Sequence, residues 1–314
     1  MMEGGGFLGM CLAEWRKARG RGLAWAVLLF GLLHGVAGAA TIWLGTRAEA
    51  RMTTEAVDST NWLVSGEVAV SLAALPINGL ALLLLFAVLW AEDFSLGTIS
   101  MVFVRPVARW RVFAAKATVC LATAFASVGC ALVTGLALGL VLFGTSGDLT
   151  QIGPDTPFIG WMGTADGHFL PILGGLVTGT LIALPSIAVA AALAALTRSP
   201  VLTLFGSMMV LLADAGVAAG MALWQKFELG TCQQAAANAG LIKSQADLDS
   251  IPCPEADLPE RLHGLTIWAG RDFAGLRGHA EFWSDAVAPI GVTLGWSALF
   301  LAVALLLFTR RDVS

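Results

Sequence analysis

The side chains that could carry out chemistry in this 314-residue sequence are few, and they form no recognisable catalytic set. None of the four lysines follows a glycine, so the Gly-Lys pair of a phosphate-binding P-loop is missing. The sequence also has no His-Glu-x-x-His segment and no Gly-x-Ser-x-Gly turn. We therefore expect no catalytic residue, no bound cofactor and no enzyme activity in this chain.

Three polar side chains stand inside long apolar runs, where a polar group is costly and is commonly functional. They are His34, Asn78 and Asp214. We interpret them as candidates for lining a translocation path. Each has a plainer alternative, which is a hydrogen bond to a neighbouring helix.

The composition shows what kind of protein must position these residues. Hydrophobic residues make up 57% of the chain, charged residues only 13%, and the mean hydropathy is +0.79. A soluble domain carries about 25% charged residues. These values exclude a soluble globular protein and a disordered chain, and the net charge of −4 argues against nucleic acid as a partner.

Six apolar runs are long enough to cross a bilayer as helices, which takes about 20 residues each. The sequence predicts an all-α polytopic membrane protein with a six-span domain over 22–308. The predicted transmembrane helices lie at about 22–44, 68–91, 117–143, 169–196, 201–224 and 286–308.

Lys and Arg indicate the orientation of these spans, because they concentrate on the cytoplasmic side. Of the 18 Lys and Arg, 11 fall in the short segments 1–21, 92–116, 197–200 and 309–314. Only seven fall in the longer loops 46–67, 144–168 and 225–285. We therefore expect both termini to be cytoplasmic, 309–314 to be a cytoplasmic tail, and the protein to reside in a bacterial plasma (inner) membrane.

The outer loop 225–285, between the fifth and sixth spans, contains Cys232 and Cys253. Thiols outside the cytoplasm tend to oxidise, and a bridge closing a loop of about 20 residues stabilises by about 3 kcal/mol. We predict a Cys232–Cys253 disulfide. Two free thiols, or a metal site completed by His263 and His279, are the alternatives, and the spacing fits no usual metal pattern.

Two cytoplasmic segments are predicted to transmit force to the spans. Residues 1–21 include an amphipathic interface helix with Leu8, Cys11, Leu12 and Trp15 on one face, directly followed by Arg16. In loop 92–116, a proline break separates two helical starts and presents basic residues below the membrane. The alternative for both segments is simple anchoring by positive charge.

Loop 92–116 resembles the ABC-2 type permease family, the membrane half of ATP-binding-cassette exporters. That family shows an acidic residue, Gly-Thr, a Pro followed by Arg, and a Lys at this place. The chain's ending, an aromatic residue followed by Arg-Arg-Asp at 308–312, resembles the family's ending. The matching loop residues are Glu92, Gly97, Thr98, Pro106, Arg109 and Lys116.

The resemblance implies a permease without catalytic residues that exports a hydrophobic or amphipathic cargo. Two copies of a cytoplasmic ABC ATPase would bind ATP and Mg, and a second permease would complete a homodimer within the membrane lipid. A further partner could dock on loop 225–285. The residues expected to couple to the ATPase are Trp15, Arg16, Glu92, Gly97, Thr98, Arg105, Pro106, Arg109 and Lys116.

Two other functions fit the same residues. The first is an ATP-driven machine that moves lipid or works with an outer partner. The second is a membrane scaffold or channel with no ATPase.

Overall fold

The computed structural model describes residues 6–52, 65, 69, 76–95, 108–144, 169–238, 265 and 282–310. Within these ranges the chain is helical and contains no β-strand, as the all-α prediction requires. The helices in chain order are α1 (Phe7–Gly20), α2 (Leu23–Met52), α3 (Pro76–Ser95), α4 (Arg109–Phe143), α5 (Phe169–Thr197), α6 (Pro200–Asn238) and α7 (Phe282–Arg310).

Among the described residues, five helical segments are long and apolar enough to cross a membrane, so the chain is a multi-pass membrane protein. A shorter apolar stretch, Leu82–Ala91 in α3, occupies part of the run predicted at 68–91. The five segments are Leu23–Gly45, Arg109–Phe143, Gly179–Thr197, Pro200–Met221 and Ile290–Arg310.

Several helices extend further than the apolar runs that predict them. Helix α4 begins at Arg109, so residues 109–116 of the expected cytoplasmic loop form its first two turns. Helix α6 continues to Asn238, well past the expected end of the fifth span at 224. Hydropathy shows where a run of apolar side chains ends. A helix can extend beyond that point, because it is held by backbone hydrogen bonds that do not depend on apolar side chains.

Helix α5 is the central helix of the bundle. Its segment Gly179–Thr197 is 76% buried within the protein, against 18% for Pro200–Met221 and 17% for Ile290–Arg310. It contacts α3, α4, α6 and α7. Small side chains allow several helices to approach one axis closely, and α5 buries a run of alanines at 188, 190, 191, 194 and 195.

Helices α2 and α4 approach each other closely along a seam of glycines. A β-carbon at Gly31 would overlap the backbone carbonyl of Ser127, and one at Gly35 would lie 2.5 Å from the β-carbon of Thr134. The short separation lets the Ser127 hydroxyl donate a hydrogen bond to the carbonyl of Val27 at 3.1 Å. Only glycine fits at this seam.

We predict that Gly31→Ala destabilises the bundle. The added methyl group would push α2 away from α4 at a cost of about 1–3 kcal/mol, a typical penalty for overpacking. The melting temperature of the purified protein in detergent should therefore fall by several degrees.

Gly45→Ala is the matched control, because Gly45 lies in the same helix and an added β-carbon there meets no atom within 4 Å. This variant should melt at the wild-type temperature or above it, since alanine favours the helix. Equal melting temperatures for the two variants would contradict the close packing of α2 on α4.

Helix α1 folds back against α4 and the start of α2. The turn at Arg21–Gly22 permits this, because Gly22 has φ +73°, a value that favours glycine. Ala18 is fully buried, and Met10, Cys11 and Trp15 pack against the bundle core. Leu8 and Leu12 are exposed instead, so the predicted apolar face is divided between the protein and its surroundings.

Candidate functional site

The first two turns of α4 form the centre of a junction between helices. Arg109, Phe113 and Lys116 are spaced at i, i+4 and i+7, which places them on one face of the helix. Together they contact three neighbouring helices, α1, α3 and α7. The helix junction consists of these three residues with Glu14 of α1, Leu89 and Trp90 of α3, and Phe308 and Thr309 of α7.

Lys116 ties α1 and α3 to α4. Its side chain is only 1% exposed, and its ammonium lies 3.0 Å from Oε2 of Glu14. The same ammonium donates a hydrogen bond to the carbonyl of Leu89 at 2.7 Å. A buried charge is tolerated only when it is paired and hydrogen-bonded, so this lysine requires both neighbours in place.

Arg109 ties the start of α4 to the end of α7. Its Nη1 donates a hydrogen bond to the carbonyl of Thr309 at 2.9 Å. The last carbonyls of a helix lack partners within the helix and carry partial negative charge, which a guanidinium neutralises well. The guanidinium of Arg109 therefore binds another helix of the same chain.

Aromatic rings fill the centre of the junction. The ring of Phe113 lies 4.8 Å from that of Trp90 and 6.0 Å from that of Phe308, in tilted and edge-on arrangements. Such pairs contribute about 1 kcal/mol each beyond their buried area. The rings therefore join α3, α4 and α7 at the same level as the polar contacts.

The structure places the predicted coupling residues in different surroundings. Trp15 packs against the core, whereas Arg16 is exposed. Arg109 and Lys116 are turned towards neighbouring helices. Glu92 lies near the end of α3. Four more of these residues lie outside the described part of the chain: Gly97, Thr98, Arg105 and Pro106.

Sequence reasoning missed the partners of these residues, above all Glu14, Phe113 and Thr309. Glu14 carried a usable signal, because it is the one acidic residue in the otherwise basic helix α1. A partly buried carboxylate such as that of Glu14 needs a cation within ion-pair distance. Its ion pair with Lys17, at 3.8 Å, is longer than the pair with Lys116.

The three path candidates lie on three different helices. His34 in α2 forms a hydrogen bond through Nδ1 to the carbonyl of Phe30 in its own helix, at 2.6 Å. Asn78 lies in the first turn of α3. Asp214 of α6 is half-buried and shares a face with the buried side chains of Thr203 and Ser207. Their role in a path stays a prediction.

The cysteines divide by environment. Cys232 at the far end of α6 is disulfide-bonded, whereas Cys11, Cys120 and Cys130 are free. Cys253, like His263 and His279 of the alternative metal site, lies outside the described residues. In the part of the chain that is described, no three His, Cys, Asp or Glu residues could hold a metal ion.

The expected outer loop 225–285 also touches the last helix. The indole of Trp296 in α7 donates a hydrogen bond to the carbonyl of Leu265 at 3.0 Å. Leu265 of this segment is therefore held against α7.

The reactivity of the Cys11 thiol depends on whether α1 is packed against the bundle. Burial raises the pKa of its thiol, a hydrogen bond with its own backbone partly offsets this, and the negative charge of Glu14 raises the pKa further. The thiolate is the reactive form of cysteine, so docking of α1 slows its alkylation. Any change that releases α1 should remove the effect of burial and expose the thiol, which speeds the reaction, whereas Glu14 stays beside Cys11 on the same helix.

These features define the class of the protein: a multi-pass helical membrane protein whose helices meet in a charged and aromatic junction at one end. Residues 53–224 match the family described as "Protein of unknown function (DUF2705)", which covers more than half of the chain. The chain belongs to this family. No curated protein and no solved structure matches it.

The predicted resemblance to the ABC-2 type permease family is therefore wrong, since the family that matches is a different one. The error has a physical source. The resemblance rested on a few residue types in loop 92–116 and on the aromatic and basic ending at 308–312, and such short patterns do not define a family. Two of those residues, Arg109 and Lys116, bind the chain's own helices.

We predict that Lys116→Met releases α1. Removing one partner of a buried ion pair costs about 3 kcal/mol, because the remaining charge loses its compensation. Alkylation of Cys11 by a maleimide, followed by mass spectrometry of the α1 peptide, should be several-fold faster than in the wild-type protein.

Lys17→Met provides the control, because Lys17 pairs with the same carboxylate at 3.8 Å and is 31% exposed. Exposed pairs contribute less than about 1 kcal/mol, so the labelling rate should hardly change. The double variant Glu14→Leu/Lys116→Met should recover part of the lost stability, since it leaves no unpaired charge. This recovery is measured as the melting temperature, because loss of Glu14 itself lowers the pKa of Cys11. A wild-type rate for Lys116→Met would refute the role of the ion pair.

Proposed function

We propose that this protein is the membrane-spanning subunit of an ATP-driven transport complex, and that it receives work from a soluble P-loop ATPase. The helix junction is the observation that carries this proposal. The first two turns of α4 are bonded to α1, α3 and α7, so a displacement of α4 at this end must be shared by all four helices. A subunit without catalytic groups of its own needs such a connection.

The exposed residues beside the junction supply the contact surface. Trp110 is 54% exposed, and the guanidinium of Arg111 lies 5.6 Å from the centre of its ring. In the sequence, segment 92–108 directly precedes these residues and contains Arg105. A basic and aromatic surface suits an acidic groove on a partner, because Trp and Arg are frequent anchors in protein interfaces.

The distribution of charge supports the orientation. Arg16, Arg19 and Arg111 lie at the junction end, as expected for the cytoplasmic end of a membrane protein. We infer six spans, two cytoplasmic termini and a bacterial inner membrane. The assembly would contain two ATPase copies and a second copy of this chain, with a further partner possible on loop 225–285, and the cargo would be hydrophobic or amphipathic.

The proposal predicts that Arg111→Glu weakens binding of the ATPase. The full-length chain should be co-expressed with any P-loop ATPase that a neighbouring reading frame encodes and purified through an affinity tag on the membrane subunit. Reversal of an exposed interface charge should lower the yield of complex by about tenfold, because one attraction becomes a repulsion. ATP turnover in the complex, per ATPase, is the second readout.

Arg47→Glu is the matched control. Arg47 also lies over a tryptophan ring, 4.0 Å from the centre of Trp43, but it is at the opposite end of α2. This variant should give full complex yield. Failure of any P-loop ATPase to co-purify, or turnover unaffected by the membrane subunit, would overturn the proposal and favour a scaffold or channel.

A further inference from the structure

Helix α1 separates its charges between two faces. Its one acidic residue, Glu14, faces the bundle and is paired with Lys116 of α4. The outward face carries Leu8 and Leu12, which are 76% and 56% exposed, followed by the exposed Arg16 and Arg19. These four residues, spaced by three or four positions, form one stripe that we call the α1 outer stripe.

Glu14 does not offset the positive charge of this stripe. Its neighbours at i+3 and i+4 are Lys17 and Ala18, and its carboxylate pairs with Lys116 at 3.0 Å and with Lys17 at 3.8 Å. Within the described residues, neither Arg16 nor Arg19 has an ion-pair partner. The outer stripe therefore combines uncompensated positive charge with exposed leucine side chains.

A neighbouring tryptophan indicates that the stripe lies at the level of lipid headgroups. Trp25 in the first turn of α2 is 60% exposed. Tryptophan is enriched where the apolar core of a membrane meets water. Only Arg21 and Gly22 separate α1 from α2, so α1 ends at this boundary.

We propose that the α1 outer stripe binds anionic phospholipids, with Leu8 and Leu12 in the acyl region and Arg16 and Arg19 on the phosphates. An interfacial helix with an apolar stretch and a basic stretch fits a charged membrane surface. A second copy of the chain fits less well, because a symmetric contact through this stripe would bring identical arginines together. The proposal does not depend on an ATPase partner.

Hydrogen–deuterium exchange of the α1 amides tests this inference. The full-length protein should be placed in nanodiscs of phosphatidylcholine alone and in nanodiscs with about 30% phosphatidylglycerol. Each basic residue near an anionic surface changes binding by about fivefold. With two arginines in the stripe, we therefore expect exchange of α1 to slow by about 25-fold in the anionic nanodiscs, because binding stabilises the docked helix.

Arg16→Gln/Arg19→Gln should abolish the difference between the two lipids, whereas Arg16→Lys/Arg19→Lys should keep most of it. Arg198→Gln/Arg310→Gln removes the same charge from two exposed positions away from α1, one between α5 and α6 and one at the end of α7, and should behave as wild type. Equal α1 exchange in both lipids would overturn the proposal. The proposal would also be overturned if the control variant lost the difference in α1 exchange between the two lipids. A third contrary result would be protection of the α1 amides that depends on protein concentration in neutral lipid.

Discussion

The positive charge of Lys116, held inside an apolar bundle, constrains everything around it. The ammonium is almost completely buried and has to find compensation within reach of its side chain. Glu14 supplies the opposite charge and the Leu89 carbonyl supplies a second acceptor, so α1 and α3 must both lie against α4. A short surface helix that hydropathy alone would leave loose thereby becomes a fixed part of the fold.

Rigid packing extends this constraint through the membrane. The glycine seam brings α2 into direct contact with the backbone of α4, and the alanine-rich α5 holds four neighbouring helices around itself. Packed interfaces of this kind move as units rather than bend continuously. The junction and the seam both involve α4, so this one helix joins the charged end of the molecule to its apolar interior. This continuity is what makes a mechanical role at the junction physically reasonable.

Much of the fold follows from the sequence, and much of the site does not. Apolar runs found most of the helices, and the basic segments 1–21 and 92–116 identified the end of the molecule where the junction lies. The sequence did not predict which way the side chains of the site point. Arg109 and Lys116 were expected to face a partner, yet they bind Thr309 and Glu14, which lie 200 and 102 positions away in the chain. The family resemblance failed for the same reason, since residue types in a loop do not show what they contact.

The sequence by itself determined that this protein lies in a membrane as a set of helices. Hydrophobic residues make up 57% of the chain and form long runs, which are stable as helices surrounded by lipid and not by water. It also determined which segments carry positive charge. Only the tertiary structure decided which charges are used internally and which remain for other molecules. That division depends on distances between helices, as between Glu14 and Lys116, and on the rotation of α1 that buries Ala18 and exposes Leu8. Neither quantity is encoded in any local pattern, because both are set by the packing of the whole bundle.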